Sequence, residues 1–576
     1  MSSQEYKPTA EQTAIVTHNG NAFISACPGA GKTRVLVERA RQVFKNSKDI
    51  RGVSFLSFTN AAIFELEQRL HREGIPAATR FPNFVGTFDK FLWQFFIAPF
   101  GIPGAQVKPR LIPDKSEWPI IPFPNAQALP LKCFSRADGK IIPAAALKAG
   151  FDTTKRSASK HEKAALWYIQ RTRVAGQIDF EDVRAIVYGR LGDVPFADRL
   201  GKALAGRFRE LVVDEAQDCN PEDLDVIKWL RSAGVTVKVI CDPHQSIYGF
   251  RGGIADELYS FRDTFAPEER LTMTGNFRSS PAICDTISLF RPKAERGTRI
   301  TSLGQFKTDA TPIYIASYGG NSAPASIGTK FAELLAAEGL AVDQCPVLAS
   351  AKTSARNAIG MRFKESGYAT LRLAAIVTAF HSSFNTTDSK TCLDELHELL
   401  LEIRGELSKE SYREYLDTKG LTDGSWRPEV IGVLRALKYD PATQTPEEWL
   451  TSTKAHLAPT IPAGRPTIAQ LLRNSEDLAA HLTSGPRSSC PARTIHSVKG
   501  SEFPAVCVVL IPLTTGGILD YIENEAVAKD AENVRKLYVA ASRAERLLFF
   551  AVPRSQVDRL VALFRAQGVA PTVTAL

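Results

Sequence analysis

Lys32 and Thr33 close the run Ala26-Cys27-Pro28-Gly29-Ala30-Gly31-Lys32-Thr33, an order of residue types that suits phosphate. Gly29 and Gly31 let backbone N–H groups close around phosphate oxygens, and the N-terminus of a following helix favours an anion. Lys32 would reach the terminal phosphates of a nucleotide, and the Thr33 hydroxyl would ligate magnesium. The strict pattern has Gly where Ala26 stands, which Ala can replace if its φ stays negative. Further on, Val212-Val213-Asp214-Glu215 ends an apolar run in two adjacent carboxylates. At a strand tip such a pair divides the work, Asp214 toward a metal and Glu215 toward the attacking water. Gln245 is placed to sense the terminal phosphate. Arg278 and Arg543 would stabilise charge on a transferring phosphoryl group. Gln12, just upstream of the loop, suits a paired amide contact with adenine. Tyr248, Phe250 and Arg251 form an aromatic–basic group of the kind that grips single strands, at about 1–3 kcal/mol per stacked base.

These residues need elements that bring them to one place. Ala22 to Ala26 reads as a buried strand, and Val35, Leu36 and Val37 begin a helix after the glycine loop. Val53 to Ser57 is a second strand. Ile63, Leu66 and Leu70 fall at helical spacing. Val85-Gly86-Thr87 is a strand end running into a helix, and Glu210 to Val213 and Val235 to Cys241 are further strands. Parallel strands would gather all their carboxyl ends, and with them the chemistry, at one sheet edge.

Between Pro99 and Pro143 nine prolines break the pattern, and a parallel sheet cannot continue through them. This reads as an inserted subdomain reaching to about residue 178, with a helix near His161 to Arg173. Trp118, Ile120, Ile121, Phe123 and Trp167 call for burial there. Residues 380–490 read as helical, with Leu393, Leu396, Leu399, Leu400 and Ile403 in one stripe. Thr445-Pro446-Glu447-Glu448 is a helix start, Thr as cap and Pro in the first turn. A strong strand, Ala505 to Leu510, precedes the helical pattern that ends at Arg543.

The 576 residues exceed one core, and length alone gives roughly four domains. Hydrophobic residues make 44% and charged residues 23%, with a net charge of +9. That modest excess suits a nucleic-acid track and equally many plain basic proteins. Nine cysteines form no C-x-x-C pair and no His/Cys cluster, which argues against a zinc site and a disulfide framework. Cys241 and Cys507 sit in apolar runs as small core residues. The N-terminus is polar and no apolar run reaches membrane-span length, so a cytoplasmic protein without a membrane partner is expected.

In order, the chain carries Glu11-Gln12, Ala26–Thr33, Phe58–Ala62, Gly86–Phe91, Val212–Asp218, Asp242–Gly253, Asn276–Ser279, Thr494–Phe503 and Leu537–Ala544. The series resembles the superfamily 1 helicases of the UvrD/Rep/PcrA type and spans residues 8 to 552. The resemblance implies an α/β fold of two RecA-like parallel-sheet P-loop domains, each with a mainly helical inserted subdomain. The first core would take residues 1–98 and 179–290, with its insertion at 99–178. The second would take 291–380 and 491–576, with its insertion at 381–490.

At matching positions the resemblance implies phosphate and magnesium contacts for Lys32 and Thr33, and metal and water-activating roles for Asp214 and Glu215. Gln245, Arg278 and Arg543 would contact the γ-phosphate. Gln12 would read adenine, Phe277 would stack on it in place of the usual Tyr, and Glu502 would contact ribose. Phe58, Thr87, Tyr248, Phe250, Arg251 and His496 match strand-contacting positions. Asp89 stands where many members have His, Phe250 where they have Trp, and Ser501 where they have Leu. The implied activity is an ATP- and magnesium-dependent 3′-to-5′ motor on single-stranded or partly duplex DNA, with ATP held between the two cores. The short insertions also resemble helicase-like subunits of bacterial defence systems such as Gabija, in which the chain would sense DNA and regulate a nuclease partner.

Overall fold

Strands β1 (Ala22–Ala26), β2 (Gly52–Ser57), β3 (Phe84–Thr87), β4 (Phe208–Val213), β5 (Thr236–Cys241) and β6 (Arg270–Met273) form one sheet in the order β6-β1-β5-β4-β2-β3. Every pairing in it is parallel. The computed structural model describes residues 7–46, 49–75, 80–154, 157–247, 255–361, 368–382, 386–407, 412–419, 421, 423–462, 466–483, 490–525 and 528–576. The chain divides into two units, Met1–Thr274 and Gly275–Leu576.

In the first unit the strands are apolar on both faces because helices cover both. Phe23, Leu211, Val213, Val237 and Val239 enter one core. Their alternates Ile24, Ala26, Val212 and Ile240 enter the other, with Val35 and Val37, as the two-residue period of a strand requires. Three helices follow the strand ends or precede them: α1 (Ala10–Thr17), α2 (Lys32–Asn46) and α3 (Asn60–Arg72). Thr9 and Gln12 make a capping box that starts α1, and Thr59 caps α3.

Residues 99–178 build a small core of their own from Ile120, Leu129, Leu131, Cys133, Phe134, Ala146, Phe151, Ala165 and Ile169. Pro119–Ile120 pairs antiparallel with Leu129–Pro130, and a helix runs over Ala158–Val174. The expected burial of five large apolar residues fails for four of them. Ile120 is 4% exposed, but Trp118 is 41%, Ile121 54%, Phe123 40% and Trp167 58% exposed. The helix buries His161, Ala165, Ile169 and Thr172, a spacing of three and four that leaves Trp167 on the opposite face. Ile121 alternates away from Ile120, and Phe134 and Phe151 already fill the core.

A buried ionic joint ties this stretch to the helix Phe180–Leu191 that follows it. Lys115 and Asp182 are both wholly buried and meet at 2.5 Å. Arg173 reaches Asp182 at 3.0 Å, and Arg136 reaches Asp179 at 3.1 Å. Asp179 also accepts the Lys115 backbone N–H and caps the helix through a box with Asp182.

In the second unit β7 (Tyr314–Tyr318), β8 (Val347–Ala349), β9 (Ala492–Thr494), β10 (Phe503–Val509), β11 (Ala544–Pro553) and β12 (Thr572–Ala575) form another all-parallel sheet, in the order β9-β8-β10-β11-β7-β12. The fold is therefore α/β, with a RecA-like parallel sheet in each unit. Helices occupy the stretch before β9. In Thr386–Arg404 the stripe Leu393, Leu396, Leu399, Leu400 and Ile403 is buried. Thr445 caps Pro446–Leu457 through a box with Glu448, and Trp449 of that helix is buried with its indole N–H on the Leu437 carbonyl at 2.7 Å.

None of the nine cysteines forms a disulfide. Burial pushes the Cys241 and Cys507 thiols well above their usual range, as befits inert core residues. No helix among the described residues is long and apolar enough to cross a membrane.

Candidate functional site

At the carboxyl edge of the first sheet, β1 stops at Ala26 and the chain turns sharply into α2. Cys27 N–H bonds the Met273 carbonyl at 2.9 Å, extending the ladder by one residue. Gly29 and Gly31 then take φ of 67° and 78°, the left-handed region that glycine enters without steric cost. Ala26 is not among the residues with positive φ, which among described non-glycines are Asn125, Glu215 and Glu525. That is why alanine fits there. A Cβ on Gly31 would stand 3.1 Å from Gln12 Nε2. Gly31→Ala is therefore expected to cost about 1–2 kcal/mol through backbone conformation alone and to weaken nucleotide binding by about tenfold. Nucleotide titration followed by a fluorescent analogue measures it.

Gln12 is buried, and its amide bridges two structures. Oε1 accepts the Thr9 backbone N–H at 3.1 Å, and Nε2 donates to the Ala30 carbonyl at 3.0 Å. The side chain thus ties the start of α1 to the glycine loop. Its neighbour Glu11 accepts both the backbone N–H and the hydroxyl of Thr274 at 2.8 Å, fixing α1 to the chain just past β6.

Asp214 and Glu215 follow β4 at the same edge. Asp214 N–H still donates to Leu56 of β2 at 2.8 Å. Glu215 then adopts φ 57° and ψ 39°, a strained conformation for a residue with a side chain. The turn presents Glu215 Oε1 to Lys32 Nζ at 2.8 Å. Gln217 donates to the other Glu215 oxygen and accepts the Asp242 backbone N–H at 3.1 Å. Asp242, one residue beyond β5, accepts the Gln245 amide at 2.8 Å. A continuous polar chain therefore runs Lys32, Glu215, Gln217, Asp242, Gln245 across the tips of three strands. Gln217 and Asp242 were not singled out from the sequence. The signal was there, since each lies within two or three residues of a predicted site residue at a strand end.

The electrostatics follow from burial. Burial alone would lower the Lys32 pKa, but Glu215, Asp214 and Asp242 outweigh it and hold the ammonium above its usual range. Burial pushes the Asp214 carboxyl up to about 7, with the Glu215 charge adding and Lys32 opposing. A site where carboxylates crowd until one resists ionisation is suited to a divalent cation. Thr33 at the start of α2 and Asp214 are hard oxygen donors of the kind magnesium takes, alongside phosphate and water.

Elsewhere in the first unit, Phe58 stacks on Phe88 with centroids 5.3 Å apart and planes at 18°. The Thr87 hydroxyl caps the helix Phe88–Leu92 by accepting Lys90 N–H at 3.2 Å. Asp89, the departure from His, forms an ion pair with Arg184 at 2.5 Å, and Arg184 also meets Asp223 at 3.1 Å. The substitution thus comes with its own cation. Tyr248, Phe250 and Arg251 lie outside the described residues.

The second unit brings three other predicted residues together. Arg278 donates to the Ser542 carbonyl at 2.9 Å and forms an ion pair with Glu502. Arg543 is buried and donates to the Val539 carbonyl at 3.1 Å and the Ser542 hydroxyl at 2.9 Å. Asn276 fixes the Arg278 turn by accepting the N–H groups of Arg278 and Ser279 at 2.7 and 2.8 Å. Phe277 is half-buried beside them, and His496 begins the short turn His496–Val498 after β9.

A glycine loop opening a helix, a lysine on a strand-tip carboxylate and two parallel-sheet units define the class of P-loop nucleotide-binding proteins. The UvrD/REP helicase N-terminal domain matches residues 8–97 and 123–266, and the UvrD-like helicase C-terminal domain matches residues 450–555. Together these cover more than half the chain, which belongs to the UvrD-like helicase family. It is 22% identical to DNA helicase II of Haemophilus influenzae over 93% of this chain and 82% of that protein. It is 23% identical to a putative ATP-dependent DNA helicase, YjcD, of Bacillus subtilis over 49% of this chain and 38% of that one. Against the ATP-dependent DNA helicase PcrA of Staphylococcus aureus the figures are 24%, 49% and 39%. The aligned part thus spans less than two fifths of the latter two relatives.

Proposed function

We propose that the chain is an ATP-dependent DNA helicase that moves along a single strand from 3′ to 5′. The ATP-dependent part of this reading is carried by the Lys32–Glu215 ion pair beside Asp214 at the mouth of the Gly29–Gly31 loop, and the direction is what the family resemblance implies. Lys32 there is held protonated by the surrounding carboxylates and attracts a polyphosphate. When the phosphates arrive, Lys32 exchanges Glu215 for their oxygens, and the freed carboxylate turns to the attacking water. Gln245, linked to Glu215 through Asp242 and Gln217, senses whether the γ-phosphate is present.

Thr33 and Asp214 would hold magnesium, which would supply charge neutralisation at the phosphate oxygens. Gln12 and Phe277 serve adenine and Glu502 serves ribose. Arg278 and Arg543 are assigned to the γ-phosphate from their positions in the motif series. Phe58, Thr87, Tyr248, Phe250, Arg251 and His496 meet the DNA strand. Residues 99–178 and 381–490 are assigned as the two inserted subdomains.

Glu215→Gln tests the division of labour. The amide keeps the size of the side chain but cannot accept a proton from water, so DNA-stimulated phosphate release should fall by about 100-fold or more. ATP binding should persist, since the neutral side chain no longer competes for Lys32. Hydrolysis near the wild-type rate would remove Glu215 from the chemistry.

A further inference from the structure

Thirteen lysines and arginines against five acidic residues give the stretch 99–178 a net charge of +8, when the whole chain carries +9. The basic excess of the protein is therefore concentrated in this insertion. Its helix Ala158–Val174 turns Lys160, Lys163, Trp167, Arg171 and Val174 to solvent, a spacing of three and four residues that places them in one stripe. The only acid of that helix, Glu162, is turned aside and accepts the Ile141 N–H at 3.1 Å. The rings on this face are paired with cations. Arg171 lies 5.0 Å from the Trp167 ring, and Lys160 lies 5.0 Å from the Phe123 ring. Trp118 stands edge-on to Tyr168 at 5.5 Å, about 100° round the helix from Trp167 and so beside this stripe.

We propose that this face is a second grip for single-stranded nucleic acid, which stacks unpaired bases on Trp167 and Phe123 and takes their phosphates on Lys160, Lys163 and Arg171. Lys160 to Arg171 spans about 16 Å of helix, long enough for several stacked bases. The charge is that of a polyanion site. A protein partner is a poor fit, because the centre of a protein interface is depleted in lysine. A duplex is a poor fit as well. Its phosphates need no rings, and its base faces are hidden, whereas here exposed rings and cations alternate as they do on single-strand platforms. The grip is separate from the nucleotide site and needs no hydrolysis.

The test is binding of the full chain, without nucleotide, to a labelled dT oligomer, a U oligomer and a blunt DNA duplex of the same length. Phe123→Ala/Trp167→Ala should lose about tenfold or more in affinity for the single strands and stay within twofold on the duplex. Trp167→Phe should keep most of the affinity, because a ring remains. Lys163→Glu should weaken binding and flatten its salt dependence. Hydrolysis without DNA should be unchanged in all of these, which keeps the result apart from any failure of the nucleotide site. Unchanged single-strand affinity in the double variant would overturn the proposal and make the face a protein-docking surface. Equal losses on duplex and single strands would overturn it in favour of a duplex-binding surface.

Discussion

Lys32→Ala should lower DNA-stimulated ATP hydrolysis by at least about 100-fold, the scale of removing one preorganised charge from a phosphoryl-transfer site. Two effects add. The first is loss of the cation that meets the terminal phosphates. The second is that Asp214, Glu215 and Asp242, all within reach of the Lys32 charge, lose their common partner. Asp214, already pushed up to about 7 with Lys32 opposing the rise, would be driven further toward its protonated form. Lys32→Arg should not rescue, because a planar guanidinium does not replace a compact ammonium within a glycine loop. Phosphate release with and without single-stranded DNA checks this, alongside a melting curve to show that the variant is folded. Full activity in folded Lys32→Ala would end the nucleotide reading.

The second large effect is on stability. Asp182→Ala should destabilise the first unit by about 3–5 kcal/mol, since it strands a buried cation. Lys115 is wholly buried and loses its 2.5 Å partner, and Arg173 loses its contact at 3.0 Å. The Asp179–Asp182 capping box fails as well. Replacing both ends, as Lys115→Met with Asp182→Leu, should be milder, because the wholly buried Lys115 charge is then not left alone in the core, although the partly exposed Arg173 still loses its contact. Burial would raise the Asp182 carboxyl, but Arg173, Lys115 and Arg136 outweigh it and hold the group below its usual range. A depressed carboxylate contributes its full stability above the ordinary value of about 3.9 and loses it as pH falls through the folded value. The gap in melting temperature between wild type and Asp182→Ala should therefore be widest near neutral pH and close in acid. A gap that stays constant into acid would show that packing, not charge, holds the joint.

The fold was legible where a period or a boundary residue decides the conformation. Apolar runs that stop at Ala26, Val213 and Cys241 became buried strands, and the Leu393–Ile403 stripe packed as its spacing required. Thr445 and Glu448 made the expected helix start. What failed was the rule that large apolar residues are buried, applied to Trp118, Ile121, Phe123 and Trp167. Nothing local records that Phe134 and Phe151 have already filled the small core of residues 99–178.

In the site, spacing pointed to the strand-tip residues, but it could not show that Gln12 is held by the Ala30 carbonyl. Nor could it show that Arg278 is engaged by Glu502. Both depend on contacts between segments far apart in sequence. The same holds for Asp89, whose partner Arg184 lies 95 residues on.

The most direct test of the central claim is streptavidin displacement from single-stranded DNA carrying biotin at one end or the other. A chain that couples hydrolysis to 3′-to-5′ movement should displace streptavidin from the 5′ end when ATP is supplied, and leave the 3′ end occupied. Hydrolysis that DNA stimulates without displacement from either end would contradict the account.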